Sequence, residues 1–179
     1  MKQIDFDHGT VTGNILGVAL PMLVAQILSL LYNIVDRIYI ARIPSVGTTA
    51  LGAVGLCFPI IVIITAFSNL FGSGGAPLFS INRGKGNIKK AEAIMNTSFS
   101  MLCICGVALM VIGMLFASPI LVLFGASEEG LSYAYPYMMI YLIGIVPSMI
   151  ATGMNPFINA QGYATSGMLS VTIGAVANL

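Results

Sequence analysis

Apolar residues follow one another in long, nearly unbroken stretches along this chain, and short polar segments separate these stretches. A helix needs about 20 apolar residues to cross the hydrocarbon core of a bilayer. The pattern predicts helices at about residues 13–42, 48–82, 91–117, 131–160 and 166–179. The 179 residues are 58% hydrophobic and 7% charged, whereas a soluble domain carries about 25% charged residues. The chain is therefore predicted to be an all-α integral membrane protein.

Polar residues, glycines and prolines set the predicted boundaries. Residues 1–12 form a polar tail before the first helix. The second helix would rise about 52 Å, so it must project from the bilayer or bend, and the glycine-rich stretch 72–77 is the expected bend. The third helix is expected to end before Pro119, and the fourth to contain three tolerated prolines. The fifth rises only about 20 Å up to residue 179, so we expect the chain to be part of a longer protein.

Charged residues outside the predicted helices indicate the orientation of the chain. A basic cluster follows the second helix: Arg83, Lys85, Lys89 and Lys90. The acids Glu128 and Glu129 follow the third helix. Since basic loops of membrane proteins face the cytoplasm, this basic loop and the N-terminal tail are predicted to be cytoplasmic, although Arg42 at the opposite end runs against the rule. The net charge of +1 gives no sign of a nucleic-acid partner.

An acidic residue, Asp36, stands inside the first predicted helix among Ile, Val and Tyr. Such a residue costs several kcal/mol in a bilayer and marks a functional site by default. At about 100° per residue, the polar side chains of this helix lie within about 80° of Asp36 and the apolar ones on the opposite side. This polar stripe consists of Gln26, Ser29, Tyr32, Asn33, Asp36 and Tyr39, and Pro21 on the same face is a candidate hinge. The stripe is expected to line a bundle interior or a watery cavity.

Two interpretations of the aspartate remain open. Asp36 could pair locally with Arg37 at the membrane boundary. Alternatively, it could exchange a proton, Na+ or an organic cation, and mutually exclusive occupancy of one carboxylate is all that antiport requires. The amides Asn155 and Asn159 of the fourth helix and Asn178 of the fifth leave a similar choice, because they either bond between helices or share a polar pocket with Asp36.

The remaining reactive residues do not predict catalysis. Cys57, Cys103 and Cys105 stand in apolar stretches as small hydrophobic residues, and His8 belongs to the polar tail. The segment RGKG lacks the upstream glycine of a phosphate-binding loop. The sequence contains no catalytic triad pattern and no metal-ligand spacing, so neither an enzyme nor a cofactor is predicted.

Three segments occur in order along the chain: LPMLVAQILSLLYNIVDRIYIARI, NLFGSGGAPLFSINRGKG and NPFINAQGYATSGMLSVTIGAVANL. Together they resemble the multidrug and toxic compound extrusion (MATE) family, particularly its MepA-like bacterial branch, and the resemblance covers the whole chain. It implies that the chain holds helices 1–5 of a six-helix lobe in a twelve-helix transporter. The second lobe, of the same protein, would be its partner.

The resemblance also implies a function: antiport of cationic amphipathic drugs against H+ or Na+ by alternating access, in a bacterial cytoplasmic membrane. Asp36 matches the first-helix aspartate that is implicated in ion coupling. Asn178 matches the asparagine of the N-x-x-x-D pattern in the fifth helix, so these two residues would be the ligands of a bound Na+. Asn155 matches a polar position near the end of the fourth helix. The sequence departs from the family at Asn159, where many members carry Arg, and at Arg42, where Gly is common.

Three other functions are weighed against drug antiport. A lipid-linked oligosaccharide flippase of the same superfamily needs cationic residues to hold pyrophosphate, and Arg37 is the only basic residue inside a predicted span apart from Arg42 at its edge. A structural membrane protein would require the chain to be complete and stable alone, against which the short fifth helix argues. A membrane-embedded enzyme comes third, since no catalytic pattern supports it.

Overall fold

The computed structural model describes Ile4 and residues 10–177. Within this part of the chain, every regular element is an α-helix, which confirms the predicted all-α class. The helices are α1 (Val11–Ala41), α2 (Gly47–Gly84), α3 (Ile88–Leu123), α4 (Glu128–Ile143), α5 (Ile145–Ala160) and α6 (Ala164–Ala177). By length and composition α1, α2 and α3 can each cross a membrane, and α4 and α5 together can form a fourth, bent span.

Helix α1 lies at the edge of the bundle. The side chain of Thr10 caps its start by accepting a hydrogen bond from the backbone N–H of Gly13 at 3.2 Å. The helix contributes no buried residue, and it packs mainly against α6 and less against α2. Apolar side chains such as Leu23 and Leu30 therefore stay exposed on its outer face, where lipid can cover them.

Helix α2 runs for 38 residues without interruption, including the glycine-rich stretch where a bend was expected. At about 1.5 Å per residue it is about 57 Å long, so it projects beyond the hydrocarbon core. Gly72 and Gly75 are buried in this stretch. A Cβ atom at Gly72 would lie 2.8 Å from Cα of Gly153 on α5. The glycines thus serve close packing of two helices and not a break.

Helix α3 corrects the predicted boundary at residue 117. It continues through Pro119 to Leu123 and ends where Gly125 adopts a left-handed backbone with φ of 93°. Ala117 and Leu121, on either side of the proline, are almost fully buried. Tertiary packing thus holds the helix together across the hydrogen bond that the proline removes.

The predicted fourth helix, 131–160, is two helices that meet at Gly144 with a bend of 57°. The reason lies in the sequence three residues later, because Pro147 has no N–H to donate to the carbonyl oxygen of Ile143. The first of the two helices also begins earlier than predicted. Ser127 caps it by accepting from the N–H of Gly130 at 3.1 Å.

The hydrophobic core lies between α2, α3, α4 and α5. Its most deeply buried side chains, which are all 0% exposed, include Leu102, Leu121, Leu142 and Met149. A second, smaller cluster surrounds Phe157 near the end of α5. Helices α2–α5 therefore form the centre of the lobe, and α1 and α6 pack beside it.

Candidate functional site

A cavity of about 900 Å³, the polar cavity, lies between α1, α2, α5 and α6. Helix α1 contributes Gln26, Ser29 and Tyr32 to its wall, and α2 contributes Asn69 and Ser73. Apolar surface comes mainly from methionine, alanine and valine side chains. No acidic or basic residue stands among the described residues that line it. The cavity therefore offers neutral hydrogen-bonding groups on an apolar background.

The α5 wall of the polar cavity is a single face of the helix. Ser148, Thr152, Asn155 and Asn159 follow one another at spacings of four, three and four residues, which brings them onto the same side. Thr152 donates to the carbonyl oxygen of Ser148 at 2.8 Å, so its hydroxyl is bonded within its own helix. The amides beyond it are left to bond with their neighbours.

An amide cluster joins α5 to α6 at the end of this face. The Nδ2 group of Asn159 donates to Oδ1 of Asn155 at 3.1 Å. In turn, Nδ2 of Asn155 donates to the carbonyl oxygen of Gly167 at 3.2 Å and to Oγ of Ser170 at 3.4 Å. Oδ1 of Asn159 is buried without a partner among the described residues. Asn155 thus bonds between helices, and both amides line the polar cavity, which Asp36 does not share.

Asp36 lies outside the polar cavity, one turn of α1 beyond Tyr32. Its side chain is exposed and has no hydrogen bond or ion pair within the described part of the chain. The guanidinium of Arg37 instead lies 5.9 Å from the ring centre of Phe58 on α2. The local pair of Asp36 with Arg37 is therefore not formed.

The rest of the predicted stripe divides between two environments. Gln26, Ser29 and Tyr32 line the polar cavity, whereas Asn33 and Tyr39 do not. Asn33 donates its side-chain amide to the carbonyl oxygen of Ser29 at 2.7 Å, and Tyr39 is 70% exposed.

The coupling roles of Asp36 and Asn155 stay predictions, and so do the roles of two further residues. Pro21 lies inside the uninterrupted helix α1, so its role as a hinge stays a prediction. The prediction for Asn178 falls outside the described residues.

Sequence reasoning missed several residues of the polar cavity: Asn69, Ser73, Ser148, Thr152 and Ser170. A signal was available on two helices. Asn69 and Ser73 form an i,i+4 polar pair in the apolar helix α2, and the polar residues of α5 share one face. These polar residues share one helical face in the same way as the stripe on α1, so the sequence pattern already marks them.

Long apolar helices packed around a cavity with neutral polar walls define an integral membrane protein with the architecture of a transporter lobe. Residues 21–179 match the MatE family, and the chain belongs to that family.

Relatives and solved structures agree with this assignment. The chain is 26% identical over 176 residues to a protein named FAD transporter from Shewanella oneidensis, covering 96% of this chain and 38% of that protein. It is 25% identical over 166 residues to Multidrug export protein MepA from Staphylococcus haemolyticus, covering 93% of this chain and 36% of that protein. The chain thus spans less than two fifths of the length of either relative.

The fold matches that of solved MATE proteins. A MATE protein crystallised in complex with MaD5 superposes with a TM-score of 0.88, covering 98% of this chain and 39% of that one at 23% identity. An outward-facing multidrug resistance MATE family transporter of the MOP superfamily gives a TM-score of 0.85 at 23% identity, covering 94% of this chain and 37% of that one. The fold prediction is therefore confirmed as the N-terminal part of a MATE lobe.

Proposed function

We propose that the protein containing this chain is a secondary active multidrug exporter, which exchanges cationic amphipathic compounds for H+ or Na+ by alternating access. The polar cavity is the observation that carries the proposal. It has the size of a small-molecule site, with hydrogen-bonding groups that converge from four helices on apolar walls. Methionines on the wall, Met22 and Met168, adapt to ligands of different shapes.

Asp36 is proposed to couple this cavity to the ion gradient. It stands four positions after Tyr32 of the cavity wall, which is a rise of about 6 Å along α1. A cationic substrate in the cavity and an ion on the carboxylate would therefore compete through charge. Asn155 is proposed to transmit this change, because its bonds to Gly167 and Ser170 connect the cavity wall to α6. Asn178, farther along the chain, is proposed as a second ligand of the ion.

An anionic substrate is the second candidate, because one relative is named FAD transporter. A dinucleotide carries phosphates, which basic side chains or helix N-termini normally bind. The described residues that line the polar cavity include no arginine or lysine. The same argument applies to the pyrophosphate of a lipid-linked oligosaccharide. Neutral and cationic amphipathic compounds therefore fit the wall better.

We further propose a bacterial cytoplasmic membrane location with the turn between α2 and α3 inside the cell. Four basic residues in this turn and in the helix ends beside it are all exposed: Arg83, Lys85, Lys89 and Lys90. They satisfy the rule that basic loops stay cytoplasmic.

The test uses the intact protein reconstituted in vesicles with an imposed H+ or Na+ gradient. We expect the gradient to drive export of a fluorescent cationic dye, and Asp36→Asn to reduce that export at least about tenfold while dye binding persists. Glu92→Gln, the same chemical change at an exposed position of α3, serves as the control and should keep full export. Undiminished gradient-driven export by Asp36→Asn would refute the coupling role. Export of FAD with no export of dyes would instead support the second candidate function, transport of an anionic substrate.

A further inference from the structure

A second cavity, of about 1060 Å³, opens between α1 and the basic end of α2, and we call it the lateral groove. Its walls include Val18, Met22, Ser73, Ser80, Arg83 and Gln161. It adjoins the polar cavity, with which it shares Met22, Ser73, Pro156 and Asn159. It differs from that cavity because one cationic side chain, Arg83, stands among the described residues that line it.

The length of the lateral groove matches one leaflet of a bilayer. Ser73 lines its inner end, and Arg83 lines its outer end, which lies near the turn between α2 and α3. Arg83 stands ten positions after Ser73 on α2, a rise of about 15 Å. Half of the hydrocarbon core is also about 15 Å thick. Arg83 is the one charged residue of α2 and stands in its last turn, so it marks the end of the helix that reaches the lipid head groups.

The charge at the outer end favours an anion. The guanidinium of Arg83 lies 6.0 Å from the ring centre of Phe79, and no described residue accepts a hydrogen bond from it. Its donors are thus available to a phosphate, the group that arginine binds best. Helix α3 begins beside it at Ile88, and its first turn has no acidic residue and no side-chain cap.

The inner walls of the lateral groove suit an acyl chain. Val18 and Met22 of α1 face the second half of α2 across it, and α1 packs only lightly against α2. Ile4 closes one side, held by a hydrogen bond from its N–H to the carbonyl oxygen of Gly162 at 3.0 Å. An extended hydrocarbon chain can lie in such a channel.

We propose that the lateral groove binds one anionic phospholipid from the leaflet on the side of the basic turn, with its phosphate on Arg83 and an acyl chain along α1 and α2. The lipid would seal the gap between these helices. The proposal rests on the membrane location of the chain and is independent of the transport activity, so either can fail alone.

The test measures which lipids stay bound to the intact protein when it is released from vesicles of equal phosphatidylglycerol and phosphatidylcholine content, by native mass spectrometry. The wild type should retain phosphatidylglycerol about tenfold over phosphatidylcholine, and Arg83→Gln should abolish this preference. Lys85→Gln removes the same charge outside the groove and should preserve the preference. Equal losses in both variants would reduce the effect to general surface charge and overturn the proposal.

A second pair of variants tests the acyl-chain site. Ser80→Trp fills the lateral groove and should displace the lipid, whereas Leu78→Trp, on the exposed side of the same helix, should not. Retention of the lipid by Ser80→Trp would mean that the lipid binds outside the lateral groove and would overturn the proposal. A third measurement uses the wild type and therefore does not depend on the folding of a variant. Water-soluble glycerol phosphate should compete poorly with phosphatidylglycerol for binding. Competition equal to that of the phospholipid would indicate a phosphate site without an acyl chain and would also overturn the proposal.

Discussion

Replacing Gly72 by alanine places a methyl group between α2 and α5 where their backbones are in contact. The added Cβ would lie 2.8 Å from Cα of Gly153 and closer still to its carbonyl oxygen, while ordinary contact begins at 3.4 Å. The atoms in the way belong to a helix backbone, so no side chain can rotate aside. The two helices must therefore separate by more than about half an ångström along a buried interface.

Overpacking of a closed core typically lowers the free energy of unfolding by about 1–3 kcal/mol, and we expect a loss of this size here. Gly74→Ala is the matched control, since it lies on the same helix and a Cβ there meets nothing within 4 Å. Both changes gain the same helix propensity of up to about 1 kcal/mol, which cancels when they are compared. Gly72→Ala should thus be about 1–3 kcal/mol less stable than Gly74→Ala.

Unfolding of the intact protein in mixed detergent micelles, followed by circular dichroism, measures this difference. A Gly72→Ala protein as stable as the Gly74→Ala protein would refute the reasoning. It would mean that α2 and α5 can separate freely, and that the long glycine-rich helix is not held by backbone contact.

Three further changes test other contacts. Gly167→Ala should disturb the amide cluster and lower export, because its Cβ would lie 2.6 Å from Oδ1 of Asn159. Gly174 lines the same cavity, but a Cβ there meets nothing within 4 Å, so Gly174→Ala should leave export unchanged. Phe157→Ala, at a side chain that is 1% exposed, should cost about 3–5 kcal/mol in the same unfolding measurement. Arg37→Gln should cost at most about 1 kcal/mol, because it removes only an exposed cation–π contact. A large loss of stability on Arg37→Gln would reveal a role that this contact does not explain.

The polar stripe on α1 illustrates how far angular analysis of one helix reaches. It identified Gln26, Ser29 and Tyr32 as cavity residues because neighbours on one helical face share an environment. It also included Asp36 and Tyr39, which lie on the same face but beyond the end of the cavity. A helical wheel records angle and ignores depth, so it could not separate these two groups.

The helix boundaries also show that a residue type alone does not predict where a helix bends. Pro119 and Pro147 are chemically identical interruptions, yet α3 continues through the first and the fourth predicted helix bends near the second. Burial does not separate the two prolines, because Ala117 and Leu121 beside the first and Ile145 and Met149 beside the second are all almost fully buried. A proline in the sequence therefore marks where a helix can bend and leaves open whether it does.

By itself, the sequence determined that this chain is helical and membrane-embedded, which helices it forms to within a few residues at most ends, and to which family it belongs. These properties follow from hydrophobicity and local periodicity, because a bilayer requires every backbone group to bond within its own helix. Tertiary structure alone decided that α1 pairs with α6, that Asn155 reaches across to Gly167, and that Asp36 lies outside the polar cavity. These depend on distances between residues far apart in the chain, and such distances arise only when the helices pack.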